Sequence, residues 1–353
     1  MHIALDVMGG DHGPVELVSG ALQAVDELDV DVTLVGDEQL IEEQLRQAGG
    51  KNLKIHVCPA TQTITMHESP FEAVRKKKDA SIVVAFKLLK EQKVDAVVSA
   101  GNSGATMASA IKMLGRLKTI SRPGIAGVFP TLKKPLVIMD VGANVDCRPR
   151  HLFEFGVMAS AFSSVLCSIE QPRIGLLSIG EEGSKGNTLV KSAHELFQKS
   201  ILNFVGNVEG RDIFLGDVDV IVCDGFVGNV CLKVSEGLAE TILKMLKSEM
   251  EKSFLAKVGY GLAKKAFGNF RKRVDYAEYG GAPLLGLNGI GIVCHGRSNA
   301  LAIKNAVKVA DEMVRNRVND HILQLLGVTE NNESLNNTDS TVQPEINLPG
   351  VAT

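Results

Sequence analysis

The chain has 353 residues, 45% of them hydrophobic and 22% charged, an ordinary globular composition long enough for one large domain or two lobes. Its formal net charge of −3 lacks the basic excess of a general nucleic-acid binder, so no nucleic-acid partner is expected. With 35 Gly, 3 Tyr and no Trp, recognition is expected to rest on backbone turns rather than aromatic surfaces.

The first residues read as a strand, His2–Val7, that runs straight into Gly9-Gly10-Asp11, and no secretory leader is expected. Further short β-branched runs follow at Val32–Val35, Ile55–Val57, Ala96–Ser99, Ile125–Phe129 and Leu136–Asp140. Ile174–Ile179, Val218–Cys223 and Gly291–Cys294 complete the series. Several are apolar almost throughout, as strands are when helices cover both faces of a parallel sheet. Between them, Ser69-Pro70-Phe71-Glu72 reads as a capping box with Pro at the first helical position, and Ser298 as the start of the periodic run Ala300–Val314. The uncharged stretch Phe155 to Ile169 has 15 residues and contains serines. A membrane-spanning helix needs about 20 apolar residues, so this one reads as buried. The alternation predicts an α/β fold, a mostly parallel sheet covered by helices. Residues 1–328 are expected to form one two-lobed domain, and 329–353, rich in Asn, Ser, Thr and Glu, a disordered tail. The six cysteines form no CxxC pair and no Cys/His zinc spacing, so free thiols, no metal and a cytoplasmic setting are expected.

Nearly every strand leads at once into Gly and small polar residues. Asp6 leads to Gly9-Gly10-Asp11, Ser99 to Gly101-Asn102-Ser103-Gly104, and Asp140 to Gly142-Ala143-Asn144. Ser178 leads to a loop holding Lys185, Asp224 to Gly228-Asn229, and Cys294 to His295-Gly296-Arg297-Ser298. Ligands of open α/β sheets bind outside strand carboxyl ends, so six such loops predict one converging, phosphate-friendly cleft. Any single loop is equally a tight strand–helix turn. Gly101–Gly104 opens a helical pattern, which offers free N–H groups and a positive dipole end to an anion. No GxxxxGK[ST] and no GxGxxG after the first strand occurs, so nucleotide hydrolysis and ordinary dinucleotide binding lose support. Lys185, between Ser184 and Gly186, is either a solvated charge or a ligand contact. Asn229 either caps the helix that follows or aims an amide at a carbonyl that gains charge. No GxSxG is present, yet acyl transfer onto phosphate needs none, because phosphate is already anionic and a thiolate leaves without strong acid help.

From Leu243 to Arg273 the sequence holds nine Lys or Arg against Glu249 and Glu251, a local charge of +7 that leaves −10 on the remainder. Leu243, Leu246, Met250, Phe254, Val258 and Leu262 form one apolar stripe at helical spacing, and Gly259, Gly261 and Gly268 are expected to break it into two pieces. Such a stripe is core, dimer interface, or a surface for anionic lipid and an acidic protein.

Together the motifs resemble the PlsX family, phosphate:acyl-ACP acyltransferases of bacterial phospholipid synthesis. The resemblance rests on Asp6-Val7-Met8-Gly9-Gly10-Asp11, Ser99-Ala100-Gly101-Asn102-Ser103-Gly104-Ala105, Asp140-Val141-Gly142-Ala143-Asn144 and Asp224-Gly225-Phe226-Val227-Gly228-Asn229. It extends through Asn207–Asp212, Gly281–Gly286 and His295–Ser298, and only Ser121-Arg122-Pro123-Gly124 varies slightly. It implies a two-lobed fold like phosphotransacetylases and isopropylmalate dehydrogenases, working as a homodimer without metal or cofactor. It places Lys185 and Asn229 at the family's catalytic positions. Substrate binding is then expected from Asp6, Gly9, Gly10 and Asp11, from Gly101, Asn102, Ser103 and Gly104, and from Asn144, Asp224, Gly228, His295 and Ser298. The partners implied are acyl carrier protein (ACP), inorganic phosphate, the anionic inner face of the membrane bound peripherally through the basic hairpin, and a downstream glycerol-phosphate acyltransferase. A phosphotransacetylase acting on short acyl-CoA, a decarboxylating dehydrogenase and a non-catalytic lipid-binding protein are the rival readings.

Overall fold

The computed structural model describes residues 1–11, 13–49, 53–274 and 276–327. The expected tail, 329–353, lies outside them. In chain order the first half holds β1 (His2–Asp6), α1 (Pro14–Glu27), β2 (Asp31–Gly36), α2 (Glu38–Gln47), β3 (Ile55–Pro59), α3 (Pro70–Lys76), α4 (Ser81–Lys90), β4 (Ala96–Ser99) and α5 (Ser103–Leu114). There follow β5 (Gly124–Phe129), β6 (Leu136–Met139), α6 (Pro149–Cys167), β7 (Ile174–Leu177), α7 (Thr188–Gln198), β8 (Phe204–Val208) and β9 (Val220–Val222). The last part holds α8 (Gly225–Glu251), α9 (Phe254–Val274), β10 (Ala282–Leu285), β11 (Ile290–Val293) and α10 (Ala300–Arg315). Every strand read from the sequence is present; β8 and β10 are additional.

The strands join one 11-stranded sheet in the order β3-β2-β1-β4-β11-β10-β5-β6-β9-β7-β8. Side chains alternate between its two faces, and each face is covered. Ile3 and Leu5 pack with Val32, Leu34 and the helices α1, α6 and α10. Ala4, between them, belongs with Val35, Val97, Phe86 and the helices α4 and α5 on the other side. Two-sided burial is why these strands lack polar alternation. Most of the uncharged stretch predicted to be a buried helix, through Cys167, lies in α6, where His151 through Ser163 are all buried.

Direction matters more than order. The strands β3, β2, β1, β4 and β11 are mutually parallel. Then β10 is antiparallel to β11 and to β5, and β5 is antiparallel to β6. The remaining strands β9, β7 and β8 run parallel to β6. Three reversals therefore turn the second half of the sheet against the first. The carboxyl ends of β1, β4 and β11 fall on one edge of the ladder, and those of β6, β9 and β7 on the other.

Three local expectations need correction. Ser69 precedes α3 with Pro70 at the first position, but its side chain makes no cap hydrogen bond. Asn299, not Ser298, caps α10 by accepting from the Ala302 N–H. The basic segment is a helical hairpin whose break falls at Lys252–Ser253, and Gly259, Gly261 and Gly268 lie within a continuous α9. Leu243, Leu246 and Met250 are half-buried as the stripe requires, whereas Val258 and Leu262 are exposed and Ala256, Ala263 and Phe267 are the partly covered positions of α9. A predicted glycine break fails because a single Gly costs a helix only about 1 kcal/mol, too little to end it.

Candidate active site

At the first edge, Asp6 is buried at the end of β1 and accepts hydrogen bonds from Ser99 Oγ (2.8 Å) and the Met8 N–H (3.2 Å). Burial pushes its carboxyl above the usual carboxylate range, against those hydrogen bonds and one from Ser81. Gly9 and Gly101 lie back to back: a Cβ at Gly9 would stand 2.5 Å from the Gly101 backbone. The Asp11 N–H donates to Gly296 O (2.8 Å), so the loops after β1, β4 and β11 form one group. Asn102 caps α5, its Oδ1 accepting from the Ala105 N–H (3.1 Å) while its amide donates to Met66 O (3.2 Å). Ser103 is exposed, and Gly104 is small enough to pass beneath Pro70. Gly10 is half-buried beside Leu17, His295 is exposed with its Nδ1 accepting from the Arg297 N–H, and Ser298 is buried. A cavity of about 10 Å³, about one water's worth, lies between Asp6, Ser81, Ser99, Gly101 and Asn102.

The second edge gathers Asn144, Asp224, Gly228 and Asn229. Asp140 is fully buried after β6, a residue that sequence reasoning had not assigned to the site. Its Oδ1 accepts from the N–H groups of Ile125 (3.0 Å) and Ala143 (3.2 Å), and its Oδ2 from the Asn144 N–H (2.6 Å) and amide (2.9 Å). Burial raises its pKa despite these donors. The Asn144 amide also donates to Pro123 O (2.9 Å), and its backbone carbonyl accepts from Gly225 N–H (2.7 Å). Asp224 caps α8, accepting from the N–H groups of Phe226 (3.0 Å) and Val227 (2.9 Å). Asn229 therefore is not the cap. It sits in the second turn of α8, exposed, with its side chain against Gly142, where an added Cβ would stand 3.5 Å from the amide carbon. Gly142 has φ 131°, a backbone that only glycine adopts without strain.

Gly228 locks this arrangement, because a Cβ there would stand 1.9 Å from Asp140 O. Gly228→Ala is therefore expected to destabilise the protein by about 1–3 kcal/mol or more and to displace Asn229. A thermal melt and an activity assay that both match the parent would show that the two backbones can part freely.

Lys185 belongs to the same edge. Its loop follows β7, which pairs with β9, so Lys185 and Asn229 come from neighbouring strand ends. The lysine is exposed, its side chain passes over Gly180, and its N–H donates to Glu182 O (2.9 Å). Among the described residues it forms no ion pair. Arg211 holds the neighbouring Glu181 (3.2 Å) and Glu209 (3.2 Å), which offsets local negative charge around the loop.

The predicted single convergence is thus two groups. One holds Asp6, Gly9, Gly10, Asp11, Gly101–Gly104, His295 and Ser298. The other holds Asn144, Asp224, Gly228 and Asn229, with Lys185 on the loop that follows the neighbouring strand. The motifs marked the loops, but only pairing direction reveals which edge each one joins.

The family described as "Fatty acid synthesis protein" matches residues 1–321. A phosphate acyltransferase of Geotalea uraniireducens (strain Rf4) is 53% identical over 326 residues, 92% of this chain and 94% of that one. One from Nitratidesulfovibrio vulgaris (strain DP4) is 53% identical over 329 residues, 93% and 95% of the two chains. Among solved structures, a phosphotransacetylase from Streptococcus pyogenes matches with TM-score 0.59 at 18% identity, over 89% of this chain and 94% of that one. A 4-hydroxythreonine-4-phosphate dehydrogenase from Klebsiella pneumoniae matches with TM-score 0.51 at 14% identity, over 89% and 99%. These two likenesses establish the fold, and the chain belongs to the fatty acid synthesis protein family, the PlsX family whose motifs its loops carry.

Proposed function

We propose that the protein transfers a long-chain fatty acyl group from acyl-ACP to inorganic phosphate, supplying acyl phosphate for phospholipid synthesis. A phosphate oxygen attacks the thioester carbonyl carbon, the C–O bond forms, the C–S bond breaks, and the carrier leaves as its thiolate. Lys185 would hold phosphate and offset developing charge. Asn229 would donate its amide to the carbonyl oxygen, which becomes an oxyanion. The observation that carries this reading is the release of Asn229 from capping duty on the helix after β9, with Lys185 on the loop after the neighbouring strand β7. Exposed Phe226, Val227 and Val230 next to Asn229 would give the acyl chain an apolar track. Incubating purified protein with long-chain acyl-ACP and phosphate should yield acyl phosphate and free carrier; no product would reject the assignment.

The hairpin favours this reading over a short-chain phosphotransacetylase, since a soluble CoA thioester gives no reason for one. No helix among the described residues is long and apolar enough to cross a membrane. We place the protein in the cytoplasm, peripherally bound to anionic lipid through the hairpin, where ACP, itself acidic, and a downstream glycerol-phosphate acyltransferase could also meet it. Leu255 and Leu262 are 80% and 86% exposed on a helix carrying Lys257, Lys264 and Lys265. Each basic group near such a membrane contributes about 1 kcal/mol, an attraction that salt screens. The exposed stripe Val234, Leu238, Ile242 and Met245 on α8 suits the homodimer. Replacing Leu255 and Val258 with Glu should release the protein from anionic vesicles and leave activity on soluble acyl-ACP near the parent's. Misfolding or loss of the dimer in that variant would mean the α9 surface is core or interface.

A further inference from the structure

We infer that His194 and Asn207 are positioning residues that hold the Lys185 loop against the sheet, an inference that rests on the role proposed for Lys185. His194 lies on α7 and Asn207 on β8, and they are only 8% and 5% exposed. Asn207 Nδ2 donates to Glu182 O (2.9 Å), the same carbonyl that accepts from the Lys185 N–H. A carbonyl cannot donate, so this contact fixes which end of the Asn207 amide is which. Its Oδ1 then lies 3.0 Å from His194 Nδ1, which must carry the hydrogen. The other ring nitrogen faces the loop, where a Cβ added at Gly183 would stand 2.9 Å from Nε2. The imidazole is itself held edge-on to Phe204 (5.0 Å), and Phe204 stacks on Phe197 (5.0 Å).

A pair serving only the core would be better replaced by apolar groups, because buried polar atoms cost free energy unless they are paired. Here the chain of bonds ends on the carbonyl of an exposed loop residue, which water could have satisfied equally well. What the bond accomplishes is to fix the turn Glu182–Lys185. On the far side Asn187 caps α7 by accepting from the Val190 N–H (2.9 Å), so the loop is gripped on both flanks of the lysine. Gly183 is the one loop position where contact with the imidazole leaves no room for a side chain.

Two variants test this. Asn207→Asp keeps the shape and the acceptor toward His194 but removes the donor to Glu182 O. Gly183→Ala removes no hydrogen bond and pushes the exposed loop off the ring. Both should lower kcat/KM for phosphate about tenfold or more, because a misplacement of about 1 Å at a reacting group can cost 10²-fold. Asn207→Asp buries a carboxylate and should also melt lower, whereas Gly183→Ala should melt like the parent. On a Lys185→Ala background Gly183→Ala should add no further loss, the mark of two residues acting through one group. If Lys185→Ala cripples the enzyme while Gly183→Ala leaves kcat/KM for phosphate unchanged, or lowers activity by the same factor in both backgrounds, the positioning role falls and the role of Lys185 stands. If Lys185→Ala has no effect, both fall.

Discussion

Lys185→Ala is expected to lower turnover by about 10²–10³, the loss seen when one preorganised electrostatic contact to a transition state is removed. The protein should melt as before. The side chain is exposed, forms no ion pair among the described residues and fills no part of the core, so its removal leaves no cavity and strands no partner. Its usefulness comes from that same freedom, since an ammonium already paired with a carboxylate would have to give up that partner to meet phosphate. Lys185→Arg should recover only part of the activity, because a planar fork does not reproduce a compact point charge. Activity near the parent's at saturating phosphate would show that the lysine is a solvated surface charge.

Much of the fold was legible because burial on both faces writes a plain signal. Stretches such as Leu136–Met139 and Ala96–Ser99 are buried at every position and can hardly be anything but central strands. Of the strands not read from the sequence, β8 lacks that signal, carrying Gly206 and Asn207 at an outer position of the sheet, whereas β10 is buried but has only four residues, with Pro283 among them, between glycine-rich turns. For the site, the loops were visible as motifs, but their division between two edges was not. It depends on β10 and β5 inserting antiparallel between the halves, and no local pattern states the direction of a strand. Asp140 was hidden for a related reason: it ends an apolar run, and only the folded chain brings the Ile125 and Asn144 N–H groups onto one carboxylate. His194 and Asn207 are 13 residues apart on different elements and acquire meaning only through the loop they grip. The cap of α8 is open in the sequence because Asp224 and Asn229 are both good capping residues, and only the helix start, at Gly225, separates them.

That distinction makes Asn229 the sharper test. Cap loss costs about 0.5–2 kcal/mol of stability, and Asp224 is the residue that should incur it. Asp224→Ala should therefore melt lower, because the N–H groups of Phe226 and Val227 lose their acceptor. Asn229→Ala should melt like the parent and yet lose about 10²–10³ in turnover, since an oxyanion donor acts only as charge develops on the carbonyl. Asn229→Asp is the more telling change. It preserves size and the fit against Gly142, but replaces the donor with an anion facing the incipient oxyanion and the incoming phosphate, so it should be at least as inactive as the alanine variant. Binding of acyl-ACP in the absence of phosphate should persist in Asn229→Ala, because a neutral thioester carbonyl gains little from that amide before attack. An activity that falls only in proportion to the folded fraction, or an Asp variant that retains most of its turnover, would remove Asn229 from the chemistry and leave it a surface residue of the second turn of α8.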